Sequence, residues 1–318
     1  MPTFLLIKTS SLGDVLHNLP VVSDIKHAFP EAKIDWVVEE NFADLPALHP
    51  AVRNVYPVAI RRWRKNWWRS RAEIMMACGH FRQQHYDLVL DTQGLLKSAL
   101  LTRLAHGIRA GFAWNSARES LSSVFYNQTF SVAKTLHAVE RNRQLAAAAL
   151  GYQLQLPADY GIRTPALNLP WLNTNRYVVL LHATSRDDKL WDEANWLSLG
   201  THLHQAGLQA VLPWGSATEK SRAERLCAGI PDSVLAPRLN LNEATALLGK
   251  ACAVVGVDTG LSHLAAALHV PTVGIYTATN PGLTGLYAGD CAINLGGKNN
   301  SPSVEQVLTT LSQLGIYA

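Results

Sequence analysis

The sequence predicts an α/β protein made of two Rossmann-like domains with a cleft between them, and three observations lead there. Short apolar runs alternate with helical patterns nearly from end to end, the rhythm of a parallel sheet covered by helices on both faces. That rhythm breaks once, over residues 152–175, where Pro157, Pro165 and Pro170 fall with no apolar period. A length of 318 residues also exceeds one typical domain.

Taken in order, residues 4–7 (FLLI) read as the first strand, followed by a helix over 14–29 that stops at Pro30. Strands follow at 34–38 and 55–58, then a helix near 72–85, a strand at 88–90 and a helix from Gly94 to Leu104. Beyond the break come a strand at 177–181, a helix at 193–205, a strand at 208–212 and a helix around 219–228. Strand 254–257, helix 261–268, strand 272–276 and an amphipathic closing helix at 304–314 complete the chain. The expected division is a first domain over 1–160, a linker over 161–175 and a second domain over 176–318. The sequence leaves open a return of the closing helix onto the first domain. In such sheets ligands bind at the carboxyl ends of the strands, so the site belongs in the cleft.

Composition narrows the functional classes. Hydrophobic residues make up 48% and charged residues 16%, which supplies a core and argues against disorder. No apolar run approaches the roughly 18–20 residues of a membrane span. The opening FLLI runs into Lys8 and a Gly13-Asp14 turn and does not read as a signal peptide. Cys78, Cys227, Cys252 and Cys291 are scattered and read as reduced core residues. The net charge of +4 is uneven: residues 1–170 carry 19 Lys+Arg against 13 Asp+Glu, and the remainder 9 against 11. A basic front half suggests an anionic partner, although a solvated surface explains a shift of this size equally well.

Four motifs sit where such a cleft needs chemistry. Lys8-Thr9-Ser10-Ser11-Leu12-Gly13-Asp14 follows the first strand, without a G-x-G-x-x-G fingerprint or a Walker lysine. Its Asp14 fits either a helix-start carboxylate or a general base at the crevice lip. Arg61, Arg62, Arg64, Lys65, Arg69 and Arg71, with Trp63, Trp67 and Trp68, put six cations and three tryptophans into eleven residues. That cluster favours an anionic, membrane-borne ligand over an exposed helix packed by its tryptophans. It carries no nucleic-acid fold signature. His182-Ala183-Thr184-Ser185-Arg186-Asp187-Asp188-Lys189 suits a phosphate-binding turn, its paired acids reading as turn or ion-pair residues rather than a metal site. Val257-Asp258-Thr259-Gly260-Leu261-Ser262-His263 is a strand end turning into a helix whose amides and dipole favour a diphosphate.

With these residues in view the chain resembles the lipopolysaccharide heptosyltransferases of glycosyltransferase family 9, which have the two-Rossmann GT-B architecture. KTSSLGDVLHNLP, DWVVEE, VAIRRWRK, DTQGLLKSAL, HATSRDDKLW, LPWGS and VDTGLSHLAAAL carry the likeness over almost the whole chain. The RRWRK and HATSRDDK forms are most similar to the branch that adds the first heptose. The resemblance implies an inverting transfer of L-glycero-D-manno-heptose from ADP-L-glycero-β-D-manno-heptose to the Kdo of Kdo2-lipid A.

It also implies roles. Asp14 matches the base that deprotonates the acceptor hydroxyl, and Lys189 joins it in catalysis. Thr184, Ser185 and Lys189 match contacts to the diphosphate and sugar; Ser185 stands where the family carries Thr and keeps the hydroxyl. Glu219 matches a nucleoside-contacting acid, and the backbone around Leu239 matches the neighbourhood of the adenine. Asp258, Thr259, Gly260 and His263 match the helix-start donor site, while Arg61, Arg62, Arg64 and Lys65 match the stretch that engages acceptor phosphates. A lysine and a helix start can take the place of a divalent cation, so neither a cofactor nor an obligatory metal is expected. The expected location is peripheral, on the anionic cytoplasmic face of the bacterial inner membrane, with no nucleic-acid partner. Second-heptose transfer, a non-enzymatic anionic-lipid-binding module and a nucleotide-sugar epimerase are the competing readings.

Overall fold

The computed structural model describes residues 1–66 and 68–316, so Trp67 of the basic cluster lies outside the described residues. The chain divides into two compact units, Met1–Ile162 and Arg163–Ala318. The first contains β1 (Thr3–Ile7), β2 (Lys33–Glu39), β3 (Val52–Val58), β4 (His85–Asp91), β5 (His106–Phe112) and β6 (Gln128–Phe130). They form one parallel sheet in the order β3-β2-β1-β4-β5-β6. The second contains β7 (Tyr177–Leu181), β8 (Gln209–Leu212), β9 (Val234–Leu235), β10 (Ala253–Val257), β11 (Thr272–Tyr276) and β12 (Ala292–Gly296). Their order, β12-β11-β10-β7-β8-β9, repeats the same parallel winding. The expected α/β class with two Rossmann-like units is therefore what the chain adopts. In each unit the winding reverses once, between β1 and β4 and between β7 and β10, and a ligand crevice opens there.

The strands flanking these reversals are apolar because helices cover both faces. All five residues of β7, β10 and β11 are buried. Leu5, Ile7, Val37, Val89, Phe81 and Trp63 share the core of the first unit. Val178, Leu180, Trp191, Trp196, Val255 and Ile275 share that of the second. Gly256, inside β10, is required by a close approach: a Cβ there would come within 2.3 Å of the Ser262 hydroxyl.

The expected helix over 14–29 is two helices, Leu12–Leu16 and Leu19–Ala28. Pro20 lies in the first turn of the second, where its missing N–H costs nothing, and so marks a new start. The residues expected as the latter part of a linker belong to the second unit from Arg163 onward. There Leu169 is buried and the Leu167 carbonyl accepts from Lys250 Nζ at 2.5 Å. The closing helix, Val304–Gln313, lies on its own unit, with Val307 and Leu311 buried in that core and contacts to Glu193–Gln205, β11 and β12.

Candidate active site

In the first unit the loop after β1 is stitched to the loop after β4. Gln93 accepts from the Thr9 and Ser10 N–H groups at 2.9 and 3.3 Å and donates to the Ser10 carbonyl at 2.5 Å. Asp91, at the end of β4, accepts from the Gln93 and Gly94 N–H groups and from the Tyr126 hydroxyl, at 2.7, 3.2 and 2.7 Å. This frame sets Asp14, whose side chain is 17% exposed, on the helix Leu12–Leu16.

The Asp14 carboxylate performs the helix-start duty that its position suggests, accepting from the Ser11 N–H at 3.0 Å. It also receives the Arg118 guanidinium at 2.5 Å and 3.3 Å. Burial alone would raise its pKa. The Lys8 ammonium, the Arg118 guanidinium and the Ser11 N–H outweigh that and hold it well below the usual carboxylate range. Asp14 is thus ionised at any physiological pH. Lys8 is itself buried, with Nζ 2.8 Å from the Thr92 carbonyl and 3.3 Å from Asn142 Oδ1. Burial pushes its pKa down to about 8, with the charge of Asp14 resisting.

The basic segment does not act as one block. Arg62 is held by two acids, Glu73 at 2.6–2.7 Å and Glu40 at 3.0 Å, with which a phosphate would have to compete. Arg61 lies over the Phe42 ring at 5.9 Å, and its N–H donates to Glu39 at 3.1 Å. Arg64 and Lys65 are exposed and make no ion pair among the described residues. Lys97, which donates to the Ser10 hydroxyl at 2.9 Å, has its pKa lowered by burial and feels the charges of Glu39, Arg61, Asp14 and Arg64. That shared electrostatic environment ties Arg61 and Arg64 to the Asp14 crevice.

In the second unit the loops after β7 and β10 meet. Asp258 is the hub: Lys189 Nζ lies 2.8 Å from its Oδ2, Thr279 donates to the same oxygen at 2.7 Å, and His263 Nε2 lies 3.8 Å from its Oδ1. The Thr184 hydroxyl donates to the Asp258 carbonyl at 3.0 Å. Burial pushes the Asp258 pKa up, and the hydrogen bonds from His263, Lys189 and Thr279 overcome it, holding the group well below the usual range. Ser185 is exposed beside Thr184. Thr259 stands at the N-cap position of the helix Gly260–Ala267 without a side-chain cap hydrogen bond, and the first amides of a helix have no partner within it. Asp187 and Asp188 are exposed, with Asp188 paired to Arg186, and no group of three metal-type ligands exists among the described residues.

One donor-side expectation lands on a residue with a structural duty. Glu219 closes a capping box, accepting from the Gly215 and Ser216 N–H groups at 2.6 and 3.2 Å, so its carboxylate already holds the start of the helix Ala217–Gly229. Leu239, whose backbone is the expected neighbour of the adenine, is half-buried just ahead of the helix Leu241–Gly249.

The model of glycosyltransferase family 9 (heptosyltransferase) matches residues 78–312. The chain belongs to glycosyltransferase family 9. This family member is 47% identical to lipopolysaccharide heptosyltransferase 1 of Salmonella typhimurium over 98% of each chain. Its fold superposes on E. coli heptosyltransferase WaaC with ADP at a TM-score of 0.91 and 43% identity, covering 98% of this chain and 99% of the other. Against the same E. coli enzyme with ADP-2-deoxy-2-fluoro heptose the TM-score is 0.88 at 42% identity, with the same coverage. The family assignment makes this glycosyltransferase an enzyme and sets aside the non-enzymatic reading.

Four residues that the motifs did not nominate belong to the site: Arg118, Gln93, Lys97 and Thr279. Each reaches it across the sheet or from a later loop, and Arg118 lies 104 positions from Asp14. No local spacing encodes such a meeting. Gln93 and Lys97 lie in the DTQGLLKSAL segment that carries the family likeness, and Thr279 lies just beyond a strand end; those were the signals on offer.

Proposed function

We propose that this glycosyltransferase moves L-glycero-D-manno-heptose from ADP-heptose to the Kdo of Kdo2-lipid A, inverting the anomeric centre. The observation that carries the reading is the near full-length likeness to an enzyme named as the first lipopolysaccharide heptosyltransferase. The chemistry of the two crevices is compatible with it.

Asp14 supplies the base. As the acceptor hydroxyl attacks the anomeric carbon from the face opposite ADP, its oxygen gains positive character and its proton becomes acidic enough for a low-pKa carboxylate to take. The bond from that carbon to the diphosphate oxygen breaks, and the electron pair leaves with ADP through an oxocarbenium-like transition state. Lys189 and the first amides of the helix Gly260–Ala267 receive the charge developing on the diphosphate, an electrostatic effect worth roughly 3 kcal/mol per well-placed donor. Thr184, Ser185, Asp258 and His263 orient the donor, with Glu219 and the Leu239 backbone at its nucleoside end. Arg61, Arg64 and Lys65 take acceptor phosphates, with Arg62 contributing only after release from Glu40 and Glu73. In this scheme no divalent cation is required.

The enzyme works as a peripheral protein on the cytoplasmic face of the bacterial inner membrane, where a basic surface meets anionic lipid. Among the described residues, no helix is long and apolar enough to cross a membrane. The test is ADP release from ADP-heptose with and without a Kdo-lipid acceptor. Acceptor-dependent release supports the reading; a changed sugar nucleotide formed without acceptor would instead identify an epimerase.

A further inference from the structure

The helix Arg71–Arg82 is apolar on two sides, one buried in the core and the other exposed. Its inner side buries Cys78 and Phe81 in the core of the first unit, with Ile74 and Ala77 packed beside them. Its outer side presents Met75 and Met76, 72% and 66% exposed, and Trp68, 66% exposed, lies just before the helix. Arg71 stacks on the Trp68 ring at 5.6 Å and stands one turn before Met75, so the three side chains make one continuous surface. Ala72 stands one turn before Met76, and Gly79 with nothing near it continues the same side to Arg82. Exposing a tryptophan and two adjacent methionines is unfavourable in water and marks a surface made to be covered.

The charges around this patch decide what covers it. Arg69 and Arg71 at the start of the helix and Arg82 at its end are exposed. The acids of the region, Glu40 and Glu73, line a groove of about 650 Å³ along β3 and are held there by Arg62. What remains outward is apolar at the centre and cationic at the rim. That pattern matches an anionic bilayer, whose headgroups meet the cations while the apolar side chains enter the boundary with the acyl chains. A soluble acidic protein would satisfy the cations but leave the methionines without an apolar partner.

We propose that Trp68, Met75 and Met76 are the membrane-seating face of this enzyme, inserting into the interface of an anionic phospholipid bilayer with Arg69, Arg71 and Arg82 on the headgroups. This rests on the proposed function for its biological sense, but the binding it describes requires no acceptor. It adds to that reading a seat separate from the phosphate-reading residues Arg61, Arg64 and Lys65, one that uses apolar insertion to hold the crevice at the lipid surface.

The experiment uses the full chain and acceptor-free phosphatidylethanolamine vesicles with and without phosphatidylglycerol, read by co-sedimentation. The wild type should bind only the phosphatidylglycerol vesicles. Met75→Ser/Met76→Ser should lower that partitioning by at least about tenfold, since burying two such side chains dominates the apolar contribution. The double variant should keep its circular dichroism and its rate of ADP release on a detergent-dispersed acceptor. Met75→Gln/Met76→Gln serves as a second variant of similar side-chain length and should lose partitioning likewise. Wild-type protein that ignores anionic vesicles, or double variants that bind as well as wild type, would overturn the proposal. So would a concentration-dependent dimer in light scattering that disappears in the double variants without any vesicle binding. Loss of ADP release in the detergent assay by the wild type would instead strike the proposed function and leave the vesicle result standing by itself.

Discussion

Replacing Asp14 by Asn separates a base from a helix cap, because the amide keeps one duty and loses the other. The Asn oxygen can still accept the Ser11 N–H that Asp14 holds at 3.0 Å, so the start of the helix survives. What disappears is the counter-charge for Arg118 and Lys8. Arg118 is 40% exposed and water screens most of its loss, roughly 1 kcal/mol or less. Lys8 is 2% exposed and keeps its contacts to Thr92 and Asn142, but loses the charge that resists the burial effect. Its pKa should therefore move further below about 8, and the ammonium should give up its proton nearer neutrality. The combined stability loss should be on the order of 1–3 kcal/mol, well short of unfolding. Turnover should fall by about 10²–10⁴-fold, the usual contribution of a general base. The assay is steady-state ADP release with a Kdo-lipid acceptor, beside calorimetric ADP binding and a melting curve. Unchanged ADP affinity with collapsed turnover is the expected pair. Turnover near that of the wild type would reduce Asp14 to its capping role and refute the reasoning.

Five other outcomes follow from the same account. Arg61→Ala/Arg64→Ala/Lys65→Ala should raise the acceptor KM by about tenfold or more while leaving ADP affinity unchanged, since charge-assisted phosphate contacts are lost. Arg62→Ala alone should move that KM far less, because Glu40 and Glu73 already occupy its guanidinium. Lys189→Met should cut kcat/KM for ADP-heptose by roughly 10²-fold, measured at fixed acceptor, through loss of charge stabilisation on the leaving diphosphate. Turnover should persist in EDTA; activity that vanishes and returns only with added Mg²⁺ would contradict the metal-free scheme. Acid should weaken the fold between pH 6.5 and 4, read as melting temperature against pH. Burial lowers His49 and His182 from 6.5 to about 4, so the unfolded chain binds protons across that window that the folded chain refuses. Their contribution is complete above pH 6.5 and is lost as the pH falls, and His49→Gln should flatten part of that slope.

Much of the fold was legible because the strands that build the two crevices are fully buried runs such as YVVLL and TVGIY, bounded by turn residues. The edges were not. β5, HGIRAGF, mixes two glycines with an arginine; Gly111 is demanded by the Tyr126 ring, which a Cβ would meet at 2.4 Å. β12 is only half-buried throughout, so it has neither a continuous apolar run nor a clean alternation. The helices Ala138–Leu150 and Leu241–Gly249 are absent from the sequence reading, although Gly151 after the first and the Asn240–Glu243 capping box at the second marked their ends. In the site, the loops after β1, β7 and β10 could be picked out because the parallel fold sends every strand-end loop to one edge, but not every residue they bring together. Arg118 and Thr279 were not, since their roles come from tertiary pairing with Asp14 and Asp258. The pairing of Arg62 with Glu40 and Glu73 shows the converse: a cation prominent in the sequence had its charge already engaged by the fold.

First-heptose transfer is tested most directly by mass spectrometry of heptose-free Kdo2-lipid A after incubation with the enzyme and ADP-heptose. The account predicts a gain of one heptose on that acceptor, with matching release of ADP. An unchanged Kdo2-lipid A beside a heptose gain on an acceptor that already carries one heptose would contradict it.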